Sequence, residues 1–190
     1  MFKQSLLFHA VWINIFLFGL MGLTHTFAQE KAFTYNNFSL TLPEGWVKQD
    51  ISKNPEKELI GSLKSQDIRG TSILVLCYKG KRYNYSSVRI VGLKTIASIF
   101  PRGQEMLKEG TEVKTEGGLT AVVELWRGAA DASGKTVFLQ APMGIIETEA
   151  CWILMLGFTP DATGSQLEEA FLKMIHSARY GPLGLESQDH

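Results

Sequence analysis

Three patterns of apolar and polar positions run along this chain. The first is unbroken: Ile73-Leu74-Val75-Leu76-Cys77 and Cys151-Trp152-Ile153-Leu154-Met155-Leu156 show no polar alternation, and Ala121 to Trp126 is broken only by Glu124. Short runs without alternation read as strands covered on both faces. A sheet holding three of them needs a layer on each side. The expected fold class is therefore α+β, an antiparallel β-sheet with helices on both faces, a three-layer α/β/α sandwich. The second pattern has helical spacing. In Gln166 to Tyr180, taking Leu167 as zero, Ala170, Phe171, Met174, Ile175 and Ala178 fall within about 80° of it at 100° per residue. Ser165 with Glu168 makes a capping-box pattern before this helix, and Gly181-Pro182 stops it. Ser87 to Phe100 predicts a second helix with Ile90, Leu93, Ile96, Ala97 and Phe100 inward, ended by Pro101. Ser86 to Val91 also reads as the start of a strand, and Gln104 to Lys108 adds a further helical turn.

The third pattern is short strands between turn residues. Phe33 to Tyr35 and Phe38 to Leu42 flank Asn36-Asn37, a pair that tolerates the left-handed turn conformation, so a hairpin opens the domain. Pro43-Glu44-Gly45 turns the chain and delivers Trp46 to one end of the core. Asp50 to Glu58, polar and containing Pro55, reads as a loop or a single helical turn. Strands follow at Leu59 to Lys64, Thr71 to Tyr78, Thr111 to Lys114, Leu119 to Arg127, Lys135 to Gln140 and Glu149 to Phe158. The last four are separated by Gly117-Gly118, by Asp131 to Gly134, and by a less regular link at Pro142 to Thr148. Links this short make neighbours antiparallel. Met143 to Ile146 extends the penultimate strand beyond a kink at Pro142, because an interior proline cannot donate to a ladder.

Ahead of these elements stands a leader. Met1 to Ala28 has one cation, Lys3, an apolar run from Leu6 to Leu23, and the small-residue end Thr26-Phe27-Ala28, which is the order of a secretory signal peptide cleaved to leave Gln29. An uncleaved anchor is the alternative; His9, Asn14, Gly22 and Thr24 weaken it. The 190 residues divide into a signal peptide at 1–28, a single domain at 29–181 and a disordered tail at 182–190. Lys plus Arg and Asp plus Glu are each 19, and Lys3 leaves with the leader, so the mature chain is nearly neutral. No nucleic-acid partner is expected from that balance. A membrane partner is expected only if the leader is retained.

Candidate chemistry is sparse. Beyond the leader the histidines are His176 and His190; the first lies opposite the apolar stripe of its helix and the second ends the tail, so neither serves as a base and no zinc site is expected. No nucleophile elbow, phosphate loop or dinucleotide fingerprint occurs, and no cofactor is expected. Glu124 is the one suggestive acid, read either as a catalytic carboxylate or as the partner of a nearby Lys or Arg. Cys77 and Cys151 form a possible disulfide in an oxidising compartment, or are two small buried apolar residues. Lys79-Gly80-Lys81-Arg82 with Tyr78, Tyr83 and Tyr85 makes a basic and aromatic loop. Lys79, Lys81, Arg82 and Tyr83 are its candidate contacts for an anionic partner, and the other reading is a solvated loop. Asn37-Phe38-Ser39 and Asn84-Tyr85-Ser86 match the glycosylation acceptor pattern.

Phe38-Ser39-Leu40-Thr41-Leu42-Pro43-Glu44-Gly45-Trp46 resembles the opening motif of the PsbP-like and DcrB-like superfamily: a strand, a proline-glycine turn and a tryptophan. The order of apolar strands, a helix, antiparallel strands with a Gly-rich hairpin at Gly117-Gly118, and a last strand before a C-terminal helix extends the resemblance over Phe33 to Tyr180. The segment Pro142 to Thr148 departs from the plain hairpin of that pattern. The resemblance implies an antiparallel sheet between helical layers and a non-catalytic accessory protein that is exported or bound to a compartment. Two functions follow as expectations. One is an exported, periplasmic or extracellular accessory or binding protein that meets an envelope protein or a small ligand through its surface; the other is a small exported hydrolase with a carboxylate-based site.

Overall fold

The structure, a computed structural model, describes residues 32–52, 58–132 and 134–181. The leader, the tail after Gly181 and most of the loop around Pro55 lie outside the described residues. The chain opens with the hairpin β1 (Ala32–Tyr35) and β2 (Phe38–Thr41), turned at Asn36 with a φ of 50°. There follow β3 (Trp46–Lys48), β4 (Leu59–Ser65), β5 (Ser72–Lys79), the helix α1 (Tyr85–Ile99), β6 (Gln104–Lys114), β7 (Thr120–Ala132), β8 (Lys135–Glu147) and β9 (Cys151–Pro160). The 3-10 turn Asp161–Thr163 then leads into α2 (Gly164–Ser177) and β10 (Arg179–Tyr180). One sheet has seven strands in the order β3-β4-β5-β9-β8-β7-β6, and a second has three in the order β1-β2-β10. Every pairing is antiparallel. The helix α1 carries the chain from β5, inside the large sheet, to its far edge, and the meander β6 to β9 brings it back beside β5.

Strands take 52% and helices 22% of the described residues, which overturns the expected three-layer α/β/α sandwich: the fold is mostly antiparallel sheet. Helices do not form a layer on each face of it. The reason lies in period-two alternation, which divides each unbroken apolar run between two cores. Ile73, Val75 and Cys77 of β5, with Ile153 and Met155 of β9, join a cluster completed by the small sheet and α2. Leu74, Leu76 and Tyr78, with Leu154 and Leu156, join a cluster completed by Val88, Ile96 and Phe100 of α1 and its cap. One helix serves one core, and a second sheet does much of the covering of the other. Phe33 of β1 shows this directly, because its ring fills the place that a side chain at Gly61 of β4 would occupy, 2.3 Å from an added Cβ.

Several element boundaries differ from the sequence expectation, each for a local reason. Gln104 to Lys108 is not a helical turn but the start of the edge strand β6, held by pairing with Gly128 to Leu125 of β7. The strand β8 runs through Pro142 without stopping. Its ladder to β9 lapses between Gln140 and Met143, where Pro142 has no N–H to give, and Gly157 opposite leaves the ring room, 2.8 Å from an added Cβ. The C-terminal helix ends at Ser177, since Ala178 is extended and Arg179–Tyr180 pair with Ser39 and Phe38. Ser165 is not its cap. Thr163 flanks the helix, but its hydroxyl is drawn into a chain from Thr71 through Thr159, with oxygen separations of 2.6 and 2.7 Å, and donates to the Pro160 carbonyl. The helix α1 is capped by Asn84 and Ser87 in a reciprocal box, and its inward face holds Val88, Gly92 and Ile96 while Ile90 is 51% exposed.

Candidate functional site

Glu124 lies on the face of β7 that looks toward α1, with its side chain 3% exposed. Arg89, on the first turns of α1, donates through Nε to one carboxylate oxygen at 2.6 Å and through Nη2 to the other at 3.3 Å. Trp126, two residues along the same strand face, donates its indole N–H at 3.0 Å, and the Tyr85 hydroxyl approaches at 3.5 Å. Tyr85 and Arg89 are four residues apart, so one helix face presents both. Burial, and then the negative charge of Glu124, push the Tyr85 phenol above its ordinary pKa. The carboxylate holds the Arg89 guanidinium firmly protonated. A carboxylate with a two-pronged cation and an indole N–H on it is a satisfied structural anion. Of the two readings of Glu124, its geometry matches the ion pair.

The basic loop connects β5 to α1, immediately before Tyr85. Gly80, with φ of 104°, lets the chain turn there. Two of its three cations rest on tyrosines. Lys79 lies over the Tyr35 ring at 5.4 Å and donates to its hydroxyl at 3.5 Å, while Arg82 stacks on Tyr83 at 4.8 Å and donates to that hydroxyl at 2.9 Å. Tyr83 in turn packs on Tyr78, with ring centroids 5.1 Å apart. Lys79, Lys81 and Arg82 are exposed. Tyr35, far away in sequence, was not legible as a loop partner; the alternation of β1 places it on the same face as the buried Phe33, half-buried at the margin of that core.

Cys77 and Cys151 stand on adjacent strands, on the same face. Cys77 pairs with Ile153 and Cys151 with Lys79, so the two cysteines are diagonal neighbours. Both are buried free thiols. The proximity of the two sulfurs raises the Cys77 pKa and lowers that of Cys151. The Thr148 hydroxyl, 3.6 Å from the Cys151 sulfur, and the Lys79 charge lower Cys151 further. Thr148, in the turn before β9, is a contributor that sequence reading missed.

The Pro43-Glu44-Gly45-Trp46 turn borders a cleft of about 190 Å³ between the β4–β5 turn and α2, with Asp67, Glu169 and Lys173 on its walls. Gly45, at φ of 76°, is packed so closely that an added Cβ would strike the Asp67 carboxylate. The cleft is smaller than the roughly 300 Å³ at which ligand pockets begin. His176 is exposed, on the solvent side of α2. Among the described residues no helix is long and apolar enough to cross a membrane.

No protein-family model matches the chain, and no curated protein sequence matches it. Solved structures do match its fold. Cyanobacterial PsbP (CyanoP) from Synechocystis sp. PCC 6803 superposes with a TM-score of 0.56 at 11% identity, over 85% of this chain and 99% of that one. LpqN of Mycobacterium tuberculosis, described as involved in cell envelope biogenesis, gives 0.51 at 14% identity over 76% of this chain and 83% of that one. The Saccharomyces cerevisiae Ran-binding protein Mog1p gives 0.51 at 12% identity over 77% and 91%. With its tryptophan-bearing turn, its returning meander and its C-terminal helix followed by a strand that closes on β2, the chain has the PsbP-like fold.

Proposed function

We propose that this is an exported, non-catalytic accessory or binding protein that meets an anionic partner through Lys79, Lys81, Arg82 and Tyr83. The observation that carries the reading is the arrangement of that loop. Two of its cations are held over tyrosine rings while remaining exposed. Laying a long cation on an aromatic face restricts it before any partner arrives, which reduces the ordering cost of contact. The leader at 1–28 supports export. PsbP-like neighbours that include a Ran-binding protein and a protein of cell envelope biogenesis support an accessory or binding role in an envelope. The hydrolase reading rests on Glu124, whose carboxylate is taken up by Arg89 and Trp126.

Photo-crosslinking in the envelope fraction of the native host tests this. The wild-type chain is expected to give a discrete, salt-sensitive adduct that the Lys81→Glu/Arg82→Glu variant loses and the Lys173→Glu variant keeps. Adducts indifferent to the loop reversal overturn the contact surface. Hydrolysis of an ester or glycoside panel by the purified protein, lost in Glu124→Gln, overturns the non-catalytic reading.

A further inference from the structure

The geometry points to Cys77 and Cys151 as a reversible dithiol–disulfide pair, oxidised by exchange with a low-molecular-weight or protein disulfide. The two thiols share one sheet face on hydrogen-bonded strands, both below 10% exposure. Their positions are unequal. Cys151 is the first residue of β9, directly after the exposed Glu149 and Ala150, whereas Cys77 lies inside β5. Lys79 stands opposite Cys151 in the ladder, and the Thr148 hydroxyl, which donates to the Cys151 carbonyl at 2.6 Å, lies 3.6 Å from its sulfur. The neighbouring Cys77 sulfur, with Thr148 and Lys79, lowers the Cys151 pKa against the opposing effect of burial, while the Cys77 pKa is raised, so the thiolate forms first at Cys151. A thiolate, not a thiol, attacks disulfides.

The exchange then runs in a fixed order. The Cys151 thiolate attacks one sulfur of the oxidant, forms a mixed disulfide and expels the other half as a thiolate. That thiolate takes the Cys77 proton, and the Cys77 sulfur attacks the Cys151 sulfur, forming the internal bond and releasing the second half as a thiolate that is protonated from water. Two protein thiols become one disulfide, and one oxidant disulfide becomes two thiols. Diagonal cross-strand neighbours have Cα atoms roughly 7–8 Å apart, beyond the usual span of about 4.4–6.8 Å in a disulfide. The start of β9 must therefore draw in toward β5, and a bond closed under that strain is readily reduced. Its closure also removes the thiolate beside Lys79, and so acts on the anchor of the basic loop.

The test uses the full chain, reduced and then equilibrated in glutathione buffers of graded ratio, quenched with iodoacetamide and weighed intact. Wild type is expected to pass to a monomer lacking two hydrogens and carrying no alkyl group, and to return fully under excess reduced glutathione. Cys77→Ser is expected to stop at a glutathione adduct on Cys151, and Cys151→Ser to remain unmodified at neutral pH. Near-ultraviolet circular dichroism confirms that each variant is folded. Equal reactivity of the two single variants, linked dimers in place of the internal bond, or a wild-type chain that stays reduced in the most oxidising buffer would each overturn the assignment.

Discussion

Glu124 is a residue whose oddity is visible in the sequence and whose meaning is not. An acid in the middle of an apolar strand demands a partner, because an unpaired buried charge costs several kcal/mol. That requirement is legible. The identity of Arg89 is not, because it depends on the rotation of α1 about its axis, and the partner arrives from 35 positions away. The neighbouring Tyr85 supplies a measurable consequence. Burial first and Glu124 second raise its phenol above the ordinary value, while the Arg89 charge opposes them. A phenol whose folded pKa exceeds its unfolded value of about 10 adds stability that is present below that pH and lost as pH rises through the folded value. Glu124→Gln removes the negative charge and leaves the opposing Arg89. The phenolate absorbance step of Tyr85, isolated by difference from Tyr85→Phe, is expected to move to lower pH in that variant. An unmoved step would mean that Glu124 is not the group that Tyr85 senses.

At the scale of elements, what the sequence made legible was the existence of strands and helices; what it hid was their phase and reach. The hairpin at Asn36, the turn delivering Trp46, the two unbroken strands and the stripe of α2 all follow from local pattern, and the structure contains them. For α1 the most apolar face of the sequence puts Ile90 inward, yet Gly92 faces the sheet, because only a residue without Cβ lets the helix settle on Met143, whose sulfur lies 2.4 Å from an added Cβ. Close approach outweighs one apolar side chain, and apolar periodicity does not register that. Leu74 and Leu154 turn to the α1 side, and Phe171 of α2 packs against their strand neighbours Ile73, Val75, Ile153 and Met155. Phe171 is fully buried, and its ring lies 3.1 Å from an added Cβ at Gly144 of β8. Phe171→Ala is expected to cost about 3–5 kcal/mol through transfer and cavity terms. Lys173→Ala, which gives up only an exposed pair with Glu169, is expected to cost less than about 1 kcal/mol. Urea melts of the two variants decide it: alanine is the better helix former at both positions, so propensity cannot produce the difference, and equal midpoints would deny that α2 holds the sheet.

For the whole molecule the relation between leader and domain matters most. The strand β1 begins at Ala32 and its second residue, Phe33, is fully buried beneath β4, so among the described residues the first core residue lies five positions after the expected cut at Ala28. A signal peptidase cutting there leaves β1 whole. A cut a few residues later would remove Phe33 and open the cluster that β1 closes over Gly61. Three chains test the expected cut and the part that β1 plays in the core. The full-length gene expressed in a bacterial host is expected to yield a product whose intact mass begins at Gln29. A chain built to begin at Gln29 is expected to match that product in urea midpoint. A chain beginning at Asn36, which lacks β1 and with it the buried Phe33 ring, is expected to lose about 3–5 kcal/mol, a large share of the stability of a domain this size. Recovery of residues 1–28 still attached in the membrane fraction would make the leader an anchor, and an Asn36 chain as stable as the Gln29 chain would remove β1 from the core.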